Sequence, residues 1–258
     1  MKYISFCALF LFFSVKSYSF YESQSSLPLD LIMEDIDNQQ ALDKENTIKT
    51  LYHKLEEGNH TASYILAFIY YTGSYGVEVD IDKAISLLSL PVEKGNLDAK
   101  HLLGTILITH EEINNARKGV SLLEESFKGG VIDSSINLYH AYKKGKYKNV
   151  DFLSSSLRVA SDQGDYMATV FWGHVMLDIS IVEENHKLIN DAVFYLKEKF
   201  KSGKYTKEVK RDIYYLFVGI YGYPDSPLYD EFLRDFYMKR AAENGHPFAE
   251  EFVKKFLN

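Results

Sequence analysis

Cysteine is almost absent from this chain of 258 residues, and the single one, Cys7, lies close to the N-terminus. A disulfide framework is therefore excluded, and the fold must be stabilised by a hydrophobic core, which a chain of this length can supply. Basic residues are also fewer than acidic ones, 29 against 36, for a formal net charge of −7. Nucleic acid and anionic membrane surfaces are poor partners for such a chain, whereas a basic or neutral protein suits it better.

Long apolar runs are missing except at the N-terminus, where Lys2 precedes an apolar segment from Tyr3 to Val15. That segment is shorter than the roughly 20 residues of a membrane-spanning helix, so no integral membrane span is predicted. Followed by Lys16 and the small residues around Ser19, it is typical of a secretory signal peptide covering residues 1–19. An uncleaved anchor is the alternative. After cleavage no cysteine remains, which excludes thiol catalysis and cysteine-based zinc sites, and the protein is predicted to be periplasmic or secreted.

An acidic segment follows the leader. Between residues 20 and 42 acids dominate and no basic residue occurs, which is typical of a solvated, poorly ordered lead-in. We expect residues 43–258 to form a single domain.

Glycine recurs through that domain at intervals of 37, 35, 34, 39 and 42 residues, each time ending a charged helical stretch. A small or hydroxyl-bearing residue follows four positions later in five of the six cases, and Lys207 is the exception. A period of this length predicts an array of helical repeats in which each unit covers its neighbour's apolar face. The glycines are Gly58, Gly95, Gly130, Gly164, Gly203 and Gly245, and the small residues are Ala62, Ala99, Ser134, Ala168 and Ala249.

The unit from Thr61 to Gly95 is the clearest. Its first segment is apolar at helical spacing, Gly73 and Gly76 open a turn, Asp80 is a good N-cap for a second helix, and Gly95 stops that helix. The unit resembles the Sel1-like repeat, a branch of the tetratricopeptide-like α-solenoids. The matching residues are Ala62, Leu66, Ala67, Tyr70, Gly73, Gly76, Val77, Asp80, Lys83, Ala84, Leu87, Leu88, Lys94 and Gly95.

Weaker copies of the same pattern extend the resemblance to about residues 59–256. It implies an all-α fold, a right-handed α-solenoid of about five helix-turn-helix repeats. Helices over Asp43–Glu57 and Phe248–Leu257 would cap the two ends. Two irregularities are expected: Pro91 should kink or shorten its helix, and the wider intervals after Gly164 indicate insertions or longer helices.

Catalytic motifs are missing from the sequence, and no cofactor is predicted. Three fragments could be mistaken for metal sites. The pair Asp80 and Asp82 is better explained by helix capping, and His110-Glu111-Glu112 and Glu183-Glu184 with His186 by exposed turns. We therefore predict no catalytic, cofactor-binding or metal-ligating residue.

Aromatic residues are the best candidates for binding a partner, with 20 tyrosines and 17 phenylalanines in the chain. Core packing is the alternative for all of them. One stripe on the first repeat is predicted to face a groove, and the aromatic-rich stretch from Tyr205 to Tyr237, with the loop Pro224–Pro227, is predicted to form a contact surface. The candidates are Tyr64, Phe68, Tyr71, Tyr214, Tyr215, Tyr221, Tyr223 and Tyr229.

The resemblance implies a function in protein binding. Bacterial proteins of the Sel1-like family include adaptors, and several exported ones are immunity proteins that neutralise toxins delivered by neighbouring cells. The expectation is accordingly a non-enzymatic binder of one toxin or envelope protein, with a periplasmic adaptor or regulator as the alternative and an envelope enzyme as a lesser one.

Overall fold

A computed structural model describes residues 44–109, 113–202 and 205–257, and these ranges contain twelve α-helices and no β-strand. The predicted signal peptide and acidic lead-in lie outside the described residues. The helices are α1 (Lys44–Glu56), α2 (His60–Thr72), α3 (Ile81–Glu93), α4 (Leu97–Thr109), α5 (Ile113–Lys128), α6 (Ser134–Lys143), α7 (Val150–Asp162), α8 (Tyr166–Val182), α9 (His186–Ser202), α10 (Lys207–Gly222), α11 (Glu231–Glu243) and α12 (Pro247–Phe256).

The helices stack in the order of the chain, each against the next, except that α10 packs mainly on α8 rather than on α9. Five pairs follow α1, namely α2 with α3 and so on to α10 with α11, and α12 closes the series. We call the first member of each pair a first helix and the other a second helix. First helices also contact one another, α4 with α6, α6 with α8 and α8 with α10, so that they form a continuous layer.

The recurring glycine stops each helix by the predicted mechanism. The described members of the series have φ between +82° and +110°, a left-handed conformation that costs glycine little. After each one, the next backbone N–H donates to a carbonyl of the last helical turn, as from Asn96 to Pro91 at 3.0 Å and from Asp165 to Ala160 at 3.1 Å. Gly203 lies outside the described residues.

After Gly58, Gly95, Gly164 and Gly245 the next residue caps the following helix, which makes these connections very short, whereas α6 begins four residues after Gly130. Asn96 Oδ1 accepts the backbone N–H of Ala99 at 2.7 Å, and Asp165 Oδ1 accepts that of Ala168 at 2.9 Å. Both alanines are completely buried. The small residue four positions after the glycine is therefore the first side chain of the new helix that must fit between its neighbours.

Two more glycines bring α4 and α5 unusually close. A Cβ on Gly104 would lie 2.8 Å from Leu123 Cγ and 2.9 Å from the carbonyl oxygen of Gly119. A Cβ on Gly119 would lie 2.8 Å from the carbonyl oxygen of Gly104. Gly104 follows Ala99 by five positions, as Ala67 follows Ala62 in the first repeat, whereas nothing in the repeat pattern predicts its partner Gly119.

Of the two effects expected of Pro91, a kink or a shorter helix, the shortening does not occur. The helix α3 continues through Pro91 to Glu93 and has 13 residues, as many as α2 and α4. Proline lacks the N–H that would bond the carbonyl of Leu87, four residues earlier. The Ser63 hydroxyl of α2 donates to that carbonyl at 2.6 Å instead. A side chain of the preceding helix thus replaces the missing backbone donor.

The wide spacing after Gly164 comes from longer helices. Helices α8 and α9 each have 17 residues and α10 has 16, against 13 in α2, α3 and α4. Of the two possibilities left open by the sequence, the structure shows longer helices.

Candidate protein-binding surfaces

The layer of first helices presents a row of uncharged side chains. On α2, α4, α6 and α8 the partly exposed residues in mid-helix are aromatic, imidazole, hydroxyl or amide groups. Charged residues in these four helices occur only near the ends. The members of this row, which we call the neutral face, are Tyr64, Phe68, Tyr71, His101, Thr105, Asn137, His140, Phe171 and His174.

Contacts between neighbouring first helices hold the neutral face together. Asn137 Nδ2 donates to Thr105 Oγ1 at 2.9 Å, which joins α6 to α4. The Phe171 ring of α8 stacks on Tyr139 of α6 with ring centroids 4.1 Å apart. Because these side chains bind one another, the face is pre-ordered before any partner arrives.

The three histidines of the neutral face are uncharged at neutral pH. Burial lowers the pKa of His101, lowers that of His140 to about 4 and lowers that of His174 to about 3. The cause in each case is desolvation, which disfavours the protonated ring. The neutral face therefore remains without charge through the middle of α2, α4, α6 and α8.

The predicted aromatic stripe of the first repeat lies at one end of this face. Tyr64, Phe68 and Tyr71 are each partly exposed and pack against the core formed by α2 to α5. Burial raises the pKa of Tyr71, whose hydroxyl bonds the side chain of Thr109 on α4. The stripe combines packing with partial exposure, and its contact with a partner remains a prediction.

Three of the tyrosines predicted to bind a partner pack against neighbouring rings of the array. Tyr221 is only 5% exposed and stacks on Tyr237 with ring centroids 5.6 Å apart. Tyr215 stacks on His246 at 3.7 Å, and Tyr214 lies edge-on to Phe200 at 5.3 Å. These rings connect α10 to its neighbours, so an open contact surface formed by Tyr221 is not supported.

The loop after α10 is built around one buried serine. Ser226 Oγ donates to the carbonyl of Ile220 at 2.5 Å and accepts the Leu228 N–H at 3.2 Å. Tyr223, at the start of the loop, is partly buried, whereas Tyr229 is 43% exposed. The predicted loop Pro224–Pro227 is thus held by its own hydrogen bonds, and it lines a cleft of about 460 Å³ with Ile181, Glu184 and His186.

Strongly exposed aromatic rings in the described ranges lie on second helices and on the closing helix α12, where Phe256 is 61% exposed. Phe194 of α9 is 69% exposed, and Phe232 and Phe236 of α11 are 79% and 43% exposed. Phe232 and Phe236 belong to the aromatic stretch noted in the sequence, but they were not among the candidates. Their spacing relative to the inner residues of α11 was the signal that could have identified them.

The possible metal-binding fragments have structural explanations where they are described. Asp80 caps α3 by accepting the Lys83 N–H at 2.9 Å, as predicted. Glu184 adopts φ +50° in the turn that ends α8, and His110-Glu111-Glu112 lies outside the described residues. Within the described part of the chain, no three histidine, aspartate, glutamate or cysteine side chains are grouped so that they could hold a metal ion.

Comparison with known proteins identifies the fold. No protein-family model and no curated protein sequence matches the chain. Several solved structures resemble it, two of which are as follows. A protective antigen of uropathogenic Escherichia coli that displays an SLR fold has a TM-score of 0.56 at 23% identity; the match covers 80% of this chain and 44% of that one. A Sel1 repeat protein from Oxalobacter formigenes has a TM-score of 0.57 at 17% identity, and 88% of each chain is covered.

The chain therefore has the α-solenoid fold of Sel1-repeat proteins, as its repeat pattern predicted. It spans less than half the length of the Escherichia coli protein, so the similarity concerns the repeat array alone. In the described ranges no helix combines the length and the apolar character needed to cross a bilayer.

Proposed function

We propose that this protein is a non-catalytic binder of another protein in the bacterial envelope, and that it acts as an immunity protein that neutralises a toxin. The observation that carries the proposal is the neutral face. Sel1-repeat folds support protein–protein interaction, and a repeat array offers an extended surface for it.

The composition of the neutral face favours a protein partner. Interface cores are depleted in charged residues and enriched in aromatic ones, because charges are costly to remove from water whereas aromatic rings supply large contact areas. The outer side of α9 is different: it exposes Lys187, Asp191, Glu198 and Lys201. The neutral face thus has the composition of an interface, whereas this part of the outer surface is rich in charge.

The net charge and the predicted export favour a basic partner in the bacterial envelope. The net charge of −7 attracts a basic partner over long range, while the neutral face forms the close contact. The predicted signal peptide supports an envelope location, where toxins from neighbouring cells arrive.

The test uses the protein encoded next to this chain's gene as the candidate toxin. We expect a one-to-one complex in isothermal titration calorimetry, loss of toxin activity in the complex, and growth protection of cells that produce this chain. Tyr64→Ala and His140→Ala should each weaken binding by roughly tenfold or more, as expected when a large ring that contacts the partner is removed from an interface.

Phe194→Ala is the matched control, because it removes an exposed ring from the outer side of α9. It should leave affinity unchanged. Urea unfolding of every variant separates lost binding from lost stability. Several weak partners without toxin protection would indicate an adaptor or regulator instead, and turnover of an envelope substrate would indicate an enzyme; either result would contradict the proposal.

A further inference from the structure

One exposed stripe on α11 has a symmetric spacing. Its residues are separated by 3, 4, 4 and 3 positions, so the pattern reads the same in both directions about the central phenylalanine. At about 100° per residue the four members that lie in the helix fall within an arc of about 80°. We call this stripe the α11 ridge; it consists of Tyr229, just before the helix, and Phe232, Phe236, Arg240 and Glu243.

The ridge is open to solvent along its whole length. Tyr229, Phe232 and Phe236 are 43%, 79% and 43% exposed, and the side chains of Arg240 and Glu243 are 50% and 59% exposed. The opposite side of α11 provides its contact with the core through Met238 and Ala241, which are 1% and 0% exposed. Three neighbouring aromatic rings on an outer surface are unusual for a protein that acts alone.

We propose that the α11 ridge binds the α11 ridge of a second copy of this chain, with the two helices antiparallel and related by a two-fold axis through Phe236. In a two-fold interface the same patch serves on both subunits, so it must be complementary to itself. Reversal about Phe236 places Phe232 opposite Arg240 and Tyr229 opposite Glu243. The symmetric spacing is what makes every ridge residue meet a partner.

Each of these pairs is chemically favourable. Two Phe236 rings meet on the axis, where aromatic pairs add to the apolar contact. A guanidinium group is attracted to the face of a phenylalanine ring, and Arg240 already lies 5.5 Å from the Phe236 ring centroid within the chain. A tyrosine hydroxyl donates well to a carboxylate, as Tyr229 does to Glu231 at 2.7 Å.

Charge explains why a second copy suits the ridge. Its N-terminal half is aromatic and its C-terminal half is charged, so two antiparallel ridges match where two parallel ridges would not. The contacts that must change are exposed ones: Arg240 now bonds Glu243 at 3.0 Å, and such surface ion pairs stabilise proteins very little. A single helix from each chain gives a small interface beside the ≈1,200 Å² or more of stable complexes. We therefore expect a dimer that forms in the micromolar range.

The experiment places a charge at residue 236, which lies on the two-fold axis of the proposed dimer. Sedimentation velocity of the full chain should show the wild type moving from monomer to dimer as its concentration rises. Phe236→Asp and Phe236→Lys should each be monomeric, because like charges would face each other on the axis. An equimolar mixture of the two variants should form a heterodimer, because opposite charges then face each other.

The same pair of substitutions at Phe194 is the control, since this ring is even more exposed than Phe236 but lies off the ridge. These variants should dimerise like the wild type, alone and mixed. Arg240→Glu, at an exposed position that should not affect folding, should weaken the dimer by roughly tenfold or more through loss of the contact with Phe232.

A wild type that stays monomeric at every concentration would overturn the proposal. So would a mixture of the two Phe236 variants that does not associate, or Phe194 variants that behave like them. A monomeric wild type whose binding to a different protein is lost on Phe236→Asp would assign the ridge to that other partner and would also overturn self-association.

Discussion

Replacing Gly104 with alanine should destabilise the array, although alanine is the better helix former. A Cβ at this position would lie 2.8 Å from Leu123 Cγ and 2.9 Å from the Gly119 carbonyl oxygen. Leu123 could move slightly, but the carbonyl belongs to the backbone of α5. The helices α4 and α5 must therefore separate.

The magnitude follows from two opposing effects. Overpacking of a core costs about 1–3 kcal/mol, and a contact with backbone belongs to the upper part of that range. Alanine regains about 1 kcal/mol of helix propensity. The free energy of unfolding should accordingly fall by about 2 kcal/mol for Gly104→Ala.

Gly219→Ala is the matched control, because Gly219 is also helical and the nearest atom to its added Cβ is Leu177 Cδ2 at an ordinary 3.7 Å. Only the propensity gain remains, so this variant should be more stable by about 0.5–1 kcal/mol. Urea unfolding followed by far-UV circular dichroism measures both. Fluorescence of the single tryptophan, Trp172, checks that the array unfolds in one transition. Stabilisation of both variants to the same extent would refute the close approach of α4 and α5.

Three further predictions concern buried groups. The pKa of His174 is lowered to about 3 in the folded chain, so between about pH 6.5 and pH 3 the unfolded chain binds more protons than the folded chain. The free energy of unfolding should therefore fall as the pH is lowered through this range. Urea unfolding at several pH values should show a less steep fall in His174→Gln. Ser63→Ala should cost about 1–2 kcal/mol in the wild type but clearly less in a Pro91→Ala background, where a restored backbone N–H satisfies the freed carbonyl; an equal cost in both would contradict the hydrogen-bond replacement. Tyr221→Ala should destabilise by roughly 3–5 kcal/mol, whereas Tyr229→Ala should change stability by less than about 0.5 kcal/mol, both in urea unfolding.

Local rules were enough to predict the repeat units and their ends. Glycine in the left-handed conformation stops a helix whatever surrounds it, and after every described glycine of the series except Gly130 the residue that caps the next helix is one position away. For that reason Gly95, the N-cap Asp80 and the terminal helices α1 and α12 were predictable from the chain alone.

Features that depend on two distant segments were not predictable in the same way. The effect of Pro91 on α3 depends on Ser63, which lies 28 positions earlier on a different helix. The close approach at Gly104 depends on Gly119 of α5. A sequence pattern shows where the backbone is unusual, but the neighbouring helix decides whether the consequence is a kink, a clash or a tight contact.

The burial of Tyr221, in the aromatic-rich stretch from Tyr205 to Tyr237, also depends on contacts that the local sequence pattern does not show. Tyr221 and Tyr70 occupy equivalent places before the turn, since the carbonyl of each accepts the N–H of the aspartate that caps the following helix, at 2.8 Å and 2.9 Å. Tyr221 is nevertheless buried because Phe217 and Tyr237 stack on it.

The helix α11 carries two apolar stripes on opposite sides. Leu233, Tyr237 and Ala241 form one, and Phe232 and Phe236 belong to the other. A helix at the outer side of a two-layer array can bury only one side against the other layer. The second stripe must then face solvent or another molecule. Two opposite stripes on one second helix are therefore a sequence signal for an interface, and this signal leads to the α11 ridge.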